Sequence, residues 1–240
     1  MPNIEKKCTD GSKLVSIVMP VYDQKQFVAE SICSVLTQTV DDFEFIIVDD
    51  ASTDGSLEIC RTYAAIDPRI KLIERSENGG QAVATNDGCR VATGKYIAWH
   101  QSDDNYVPQF LEWTLEAAKD GAEVVYGQYR FINLKGDLDA GPFPKEAKWD
   151  YGKFKNDCYL CCGTMLYTRA AYEEVGGYDE SFAACVDWDF SLRVCKDRKV
   201  TVLDKVLFHY RNQHINSNRL RIDENRRRKD RGRIRGGDYG

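Results

Sequence analysis

No part of this chain is apolar over the ~18–20 residues that a membrane-spanning helix needs. Met1 to Lys13 also lacks the apolar centre of a secretory signal peptide, so a soluble chain that stays in the cytoplasm is expected. A basic surplus is missing as well. The 33 Lys and Arg stand against 38 Asp and Glu, a net charge of -5, which excludes a dedicated nucleic-acid binder. There is no G-x-G-x-x-G, no G-x-x-x-x-G-K-[ST], no H-E-x-x-H and no G-x-S-x-G. Dinucleotide-binding, P-loop, zinc-protease and serine-hydrolase chemistries therefore have no footing. The turn after the first apolar run reads Pro20-Val21-Tyr22-Asp23 and contains no glycine. A nucleotidyltransferase would want a Gly-rich loop with Arg or Lys there to hold a triphosphate.

Cysteine is present without a framework. Nine of them, an odd number, are scattered over 240 residues, which does not suit a disulfide-stapled secreted chain. Cys158-x-x-Cys161, with Cys162 adjacent, is at most half a zinc site, and Cys185 and Cys195 are not spaced as the other half. Reduced thiols are expected.

What is present suits one large α/β domain, since 42% hydrophobic and 11% aromatic residues can fill a core. Leu14–Met19, Phe43–Val48, Ile70–Ile73 and Lys95–Trp99 read as buried strands. Helical periodicity fills the gaps: a helix from Phe27, one after Ser52–Ser56, and one over 81–93. Strand and helix alternating without hairpins imply βαβ units and a mostly parallel, Rossmann-like central sheet flanked by helices. Beyond Val107 the pattern predicts a helix over 107–120, a strand near Val124 and a loop-rich stretch through Pro142 and Pro144. A strand near Thr164–Tyr167, a short helix closed by Gly176-Gly177, a helix over 187–196 and a strand at Val200–Leu203 complete it. The domain divides into an extension (1–13), a first half (14–106), a second half (107–218) and a basic tail (219–240).

Charge is concentrated in that tail. Between Arg219 and Arg235, nine basic and three acidic residues leave a surplus of six, so residues 1–218 carry -10. Such a run reads as a solvated tail or frayed helix, or else as a patch for an anionic membrane surface.

Acidic pairs end two separate strands, Asp49-Asp50 and Asp103-Asp104. Carboxylates repel a diphosphate unless a divalent cation lies between them. Ser52 or Thr53 is available to cap the following helix, which leaves Asp50 without a structural duty. Asp103-Asp104-Asn105 holds more carboxylate than one turn needs. Asp187, judged on residue type alone, is a helix-start aspartate, and Trp188, His100 and His209 read as packing.

These motifs resemble family 2 glycosyltransferases, of GT-A fold. The resemblance rests on Val15–Asp23, Val48–Gly55, Asn78–Gly88, Ser102–Asp104, Gly176–Glu180, Val186–Asp189 and Tyr210-Arg211. It implies that Pro20, Val21 and Tyr22 flank the base of a nucleotide-sugar, that Asp50 accepts a hydrogen bond from it, and that Gly80 lines the same site. It implies that Asp103 and Asp104 hold ribose and Mn²⁺ or Mg²⁺, with His214 as a further metal candidate. Asp187 would be the general base of an inverting transfer, and Trp188 a candidate acceptor wall. The resemblance implies 14–106 as the nucleotide-sugar-binding half and 107–218 as the acceptor-binding and catalytic half, which includes a smaller acceptor-side subregion. The partners implied are a nucleotide-sugar donor, above all a UDP-sugar, and a glycan or lipid-linked acceptor. A second copy of the chain is a further candidate, and no nucleic acid is expected. Three positions depart from the pattern: Gln101 for Asp, Thr85 for Arg and Val186 for Glu. They motivate the alternative of a nucleotide- or glycan-binding module without turnover.

Overall fold

The computed structural model describes residues 13–212 and 224–236. The 1–12 extension, His214 and the start of the basic run lie outside the described residues.

The first half alternates as its periodicity predicts: β1 (Val15–Val21), α1 (Val28–Leu36), β2 (Phe43–Asp49), α2 (Ser56–Ile66), β3 (Ile70–Glu74), α3 (Gln81–Val91) and β4 (Tyr96–Trp99). The second half adds β5 (Asn105–Tyr106), α4 (Phe110–Lys119), β6 (Val124–Ile132), β7 (Leu138–Phe143) and α5 (Tyr151–Asn156). It continues through β8 (Leu166–Thr168), α6 (Arg169–Glu174), α7 (Val186–Cys195), β9 (Val200–Arg211) and α8 (Glu224–Gly236). All strands join one nine-stranded sheet in the order β3-β2-β1-β4-β8-β6-β9-β5, with β7 paired to β6. The pairings make β1, β2, β3, β4, β6 and β9 run one way, while β5, β7 and β8 oppose them.

Continuous apolar strands are covered on both faces. Alternate residues of β1 and β2 (Val15, Ile17, Met19; Phe43, Phe45, Ile47) meet α1 and α4 in one core. Val18, Ile46 and Val48 face the other way into a second core with α3, α7 and Ile234.

Two elements exceed their sequence expectation. β9 runs over 12 residues to Arg211. Its pattern breaks at Asp204-Lys205, where the register against β6 jumps from Tyr126↔Val202 to Gln128↔Val206, and a bulge hides the strand's continuation. The Gly-Pro stretch forms β7, an edge strand bonded only to β6, where proline is tolerated.

The basic tail also differs from expectation. Its described part is solvated on most positions but is docked rather than loose. It forms α8, whose Ile234 and Asp230 are buried at 0% and 3% exposure.

Candidate active site

The loops that leave β1, β2 and β4 emerge at the carboxyl edge of the parallel strands, where open α/β sheets bind ligands. Two of these loops are clamped together. Asp23 and Gln24 donate backbone N–H groups to Ser52 Oγ and Ser56 Oγ at 3.1 and 2.8 Å, and Lys25 N donates to Asp54 Oδ2 at 2.9 Å. Ser52 therefore serves the loop clamp and does not cap α2, which starts on the left-handed Gly55. Asp49 Oδ2 accepts from Ser52 N at 3.0 Å and shapes that turn.

Asp50 is 2% exposed and does have a structural duty. Its carboxylate accepts from Gly79 N at 2.9 Å and Gly80 N at 2.8 Å, and Arg75 Nε lies 2.9 Å from Oδ1. Gly80, at φ +86°, holds a backbone conformation that a side chain would strain. A carboxylate offers about four acceptor positions, so Asp50 can hold this loop and still accept one imide N–H from a base.

The acidic motif is built around Arg211, which is 2% exposed at the end of β9. Its backbone N donates to Asp104 Oδ1 at 2.6 Å and its Nε to the Asp103 carbonyl at 2.9 Å. The rest of the guanidinium reaches the Asn133 and Leu134 carbonyls and Glu30 Oε2. Burial pushes the Asp103 carboxyl up to about 6, against the pull of Arg211. A desolvated carboxylate of this kind gains from a cation. Among the described residues no group of three or more His, Cys, Asp or Glu is gathered to hold a metal. The donor set fits Mg²⁺ or Mn²⁺ in the way such ions bind beside phosphate, with one or two carboxylates and the remaining ligands from diphosphate and water.

Asp187 lies in the first turn of α7, partly exposed, with Oδ1 accepting from Trp188 N at 3.0 Å. A thiol meets it. The Cys162 thiol contacts the Asp187 carboxylate and lies 3.1 Å from Ser191 Oγ. Contact with Cys162 and then burial raise the Cys158 thiol well above its ordinary value, and Asp187 adds to the rise. Burial raises Cys161 likewise, with further pushes from Cys162, Asp104 and Asp187. These thiols stay protonated, in keeping with reduced cysteines.

Pro20 belongs to β1, where it lies opposite Val48, and not to the turn the sequence suggested; it and Tyr22, just beyond the strand, are half-buried, whereas the Val21 side chain is fully buried in the first core. Trp188 does not wall an open cleft. It is 6% exposed, packs in the second core and donates its indole N–H to the Phe154 carbonyl at 2.9 Å. Of the departures, Thr85 is buried and turns its hydroxyl back to the Gln81 carbonyl, and Val186 packs in the core. Sequence reasoning assigned no role to Arg75 or Arg211 and left Cys158, Cys161 and Cys162 as bystanders. The resemblance had cited Tyr210-Arg211 without giving the cation a task. The thiols gave no signal.

The family profile of glycosyl transferase family 2 matches residues 16–176. The chain belongs to that family. It is 30% identical over 192 residues to the UDP-Glc:alpha-D-GlcNAc-diphosphoundecaprenol beta-1,3-glucosyltransferase WfgD of Escherichia coli, covering 80% of this chain and 73% of that protein. It is 29% identical over 210 residues to chondroitin synthase of Escherichia coli, covering 86% of this chain and 30% of that protein. This chain thus spans less than a third of that longer relative. TarS of S. aureus (residues 1-349, with UDP-GlcNAc) superposes at TM-score 0.72 with 20% identity, over 84% of this chain and 59% of that one. The mannosyltransferase PcManGT of Pyrobaculum calidifontis, with GDP-Man and Mn2+, superposes at 0.67 with 19% identity, over 90% and 61% of the two chains. The architecture is the GT-A fold. Among the described residues no helix is long and apolar enough to cross a membrane.

Proposed function

We propose that this family 2 chain is an inverting glycosyltransferase that moves a sugar from a UDP-sugar to a hydroxyl of a glycan or lipid-linked acceptor. What supports this best is the acidic pair Asp103-Asp104 at the carboxyl edge of the sheet, held from behind by the buried Arg211. The names of its relatives agree, since WfgD takes UDP-Glc and a diphosphoundecaprenol-linked sugar.

In this reading residues 14–106 bind the donor. Tyr22 lies against the base, and Asp50 accepts its imide N–H while fixing Gly79 and Gly80. Asp103 and Asp104 hold Mn²⁺ or Mg²⁺, which when bound offsets the charge of the departing diphosphate. Residues 107–218 bind the acceptor. Its hydroxyl attacks the anomeric carbon from the face opposite the phosphate, and the proton passes to Asp187. The bond between the anomeric carbon and the phosphate oxygen breaks, and UDP leaves with the electron pair. The work is cytoplasmic, and the outward basic residues of α8 rest on anionic lipid where a lipid-linked acceptor is anchored.

Calorimetric titration of UDP, GDP and dTDP, with and without Mn²⁺, tests the donor site. UDP is expected to bind only with the metal, and Asp104→Ala to weaken it by about tenfold or more. Failure of every nucleotide to bind would remove the transferase reading and leave a GT-A module with another task.

A further inference from the structure

The segment that delivers Asp187 is held from outside by α8. Gly177 to Cys185 has no regular secondary structure, and Cys185 stands at φ +57° immediately before α7. A non-glycine residue there is strained and persists only where its surroundings fix it. The fixing groups come from α8. Asp230 Oδ2 accepts from Ala183 N at 3.2 Å and from Ala184 N at 3.0 Å. Arg233 donates to Ser181 Oγ at 2.9 Å, pairs with Asp179 at 3.5 Å, and lays its guanidinium 3.9 Å from the centre of the Phe182 ring. Arg231 contacts the Cys185 thiol. Ile234 anchors the helix in the same core as Phe182, Val186 and Trp188, and Arg235 reaches the Asn156 carbonyl at the end of α5.

We propose that α8 is a strap that sets the position of Asp187, with Asp230 as its positioning residue. The reason lies in the donor and acceptor arithmetic. Ala183 N and Ala184 N come from consecutive residues that end in the strained Cys185, and one carboxylate oxygen receives both. Two charge-assisted bonds in a buried setting fix the chain direction two residues before α7 begins. Without them Cys185 relaxes out of the left-handed region, and the first turn of α7 unwinds or turns with Asp187 on it. The loops that hold the donor lie on β1, β2 and β4 and make none of these contacts. The strap therefore acts on turnover and leaves nucleotide binding alone. This inference rests on the reading of Asp187 as the base.

The test uses the whole chain, with UDP release from UDP-glucose, UDP-GlcNAc, UDP-galactose and UDP-glucuronate as the rate assay and the fastest donor carried forward. Asp230→Ala is expected to lower kcat by about tenfold or more while the UDP Kd changes less than about twofold. Asp230→Asn keeps an oxygen for the two amides and is expected to recover most of kcat. Hydrogen exchange at the Ala183 and Ala184 amides should quicken in Asp230→Ala and not in Asp230→Asn. Should Asp230→Ala fail to fold, Arg233→Ala, at an exposed position, takes its place with a smaller fall in kcat and the same unchanged Kd. The strap is overturned if both amides exchange faster while kcat holds, or if kcat and UDP affinity fall together. Asp187→Asn separates the parent reading. If that variant keeps full kcat, or if the unaltered chain releases UDP from no donor, the base assignment fails and takes the strap with it. If Asp187→Asn is inactive and Asp230→Ala is not, only the strap fails.

Discussion

Arg211 shows how a single side chain can organise an acidic motif. Its donors are distributed over Asp103, Asn133, Leu134 and Glu30, and its guanidinium carbon lies 4.9 Å from the Phe27 ring centre. Replacing it with Met removes several charge-assisted bonds at a buried position, and a loss of about 3 kcal/mol is expected from urea denaturation. Glu30→Gln should cost under about 1 kcal/mol, because that carboxylate is half exposed and water screens the pair. His100 supplies a pH dependence. It is fully buried, bonded through Nε2 to Ser31 Oγ at 2.9 Å, with Nδ1 unpaired among the described residues. Burial depresses its pKa from 6.5 to about 3. The folded protein keeps the ring neutral while the unfolded chain protonates it, so stability is intact above 6.5 and falls as the pH drops towards 3. Asp103 acts with the opposite sign, since its raised pKa makes stability fall as pH rises from 3.8 to about 6. Comparison with His100→Gln isolates the histidine. Any advantage of the unaltered chain at pH 7.5 should shrink by about 3 kcal/mol at pH 4.5.

Among the elements, α3 illustrates why its signature contains a glycine. A Cβ on Gly88 would lie 2.5 Å from Val18 Cγ1 and 3.1 Å from Val48 Cγ2, both on strands that carry the site. Gly88→Ala must push α3 off the sheet, and a loss of about 1–3 kcal/mol in thermal unfolding is expected. Because α3 begins at the Gly79-Gly80 turn held by Asp50, weaker UDP binding should accompany that loss. An unchanged UDP Kd would mean that the turn is set by Asp50 alone. The element pattern of the first half was legible because β1, β2, β3 and β4 are short apolar runs between helices of clear period. β7 and the far half of β9 were not. One is an edge strand written in Gly and Pro, and the other is interrupted by a bulge, so neither shows alternation along its own sequence.

For the whole molecule the decisive feature is the separation of charge. Residues 1–218 carry -10, yet the helix closing the described chain is basic and exposes Arg228, Lys229, Arg231 and Arg235. Deleting the tail would also remove Asp230 and Ile234 from the body, so charge reversal is the cleaner probe of membrane contact. Arg228→Glu with Lys229→Glu should abolish co-sedimentation with vesicles rich in anionic lipid and leave the melting temperature unchanged. Binding that persists in the double variant would remove the membrane from the reading of α8.

The sequence by itself determined the βαβ alternation, the acidic strand ends and the resemblance to family 2, because these are local patterns of period, strand terminus and short motif. Tertiary structure alone decided what those residues touch. Asp50 holds the Gly79-Gly80 turn, Arg211 backs Asp103 and Asp104, the Cys162 thiol meets Asp187, and Trp188 goes to the core. It also decided that residues 224–236, with a single apolar side chain in Ile234, would dock as a helix. Among the described residues the buried face of α8 is built from Asp230 and Ile234, and an aspartate reads as surface until the two amides it accepts from are folded against it.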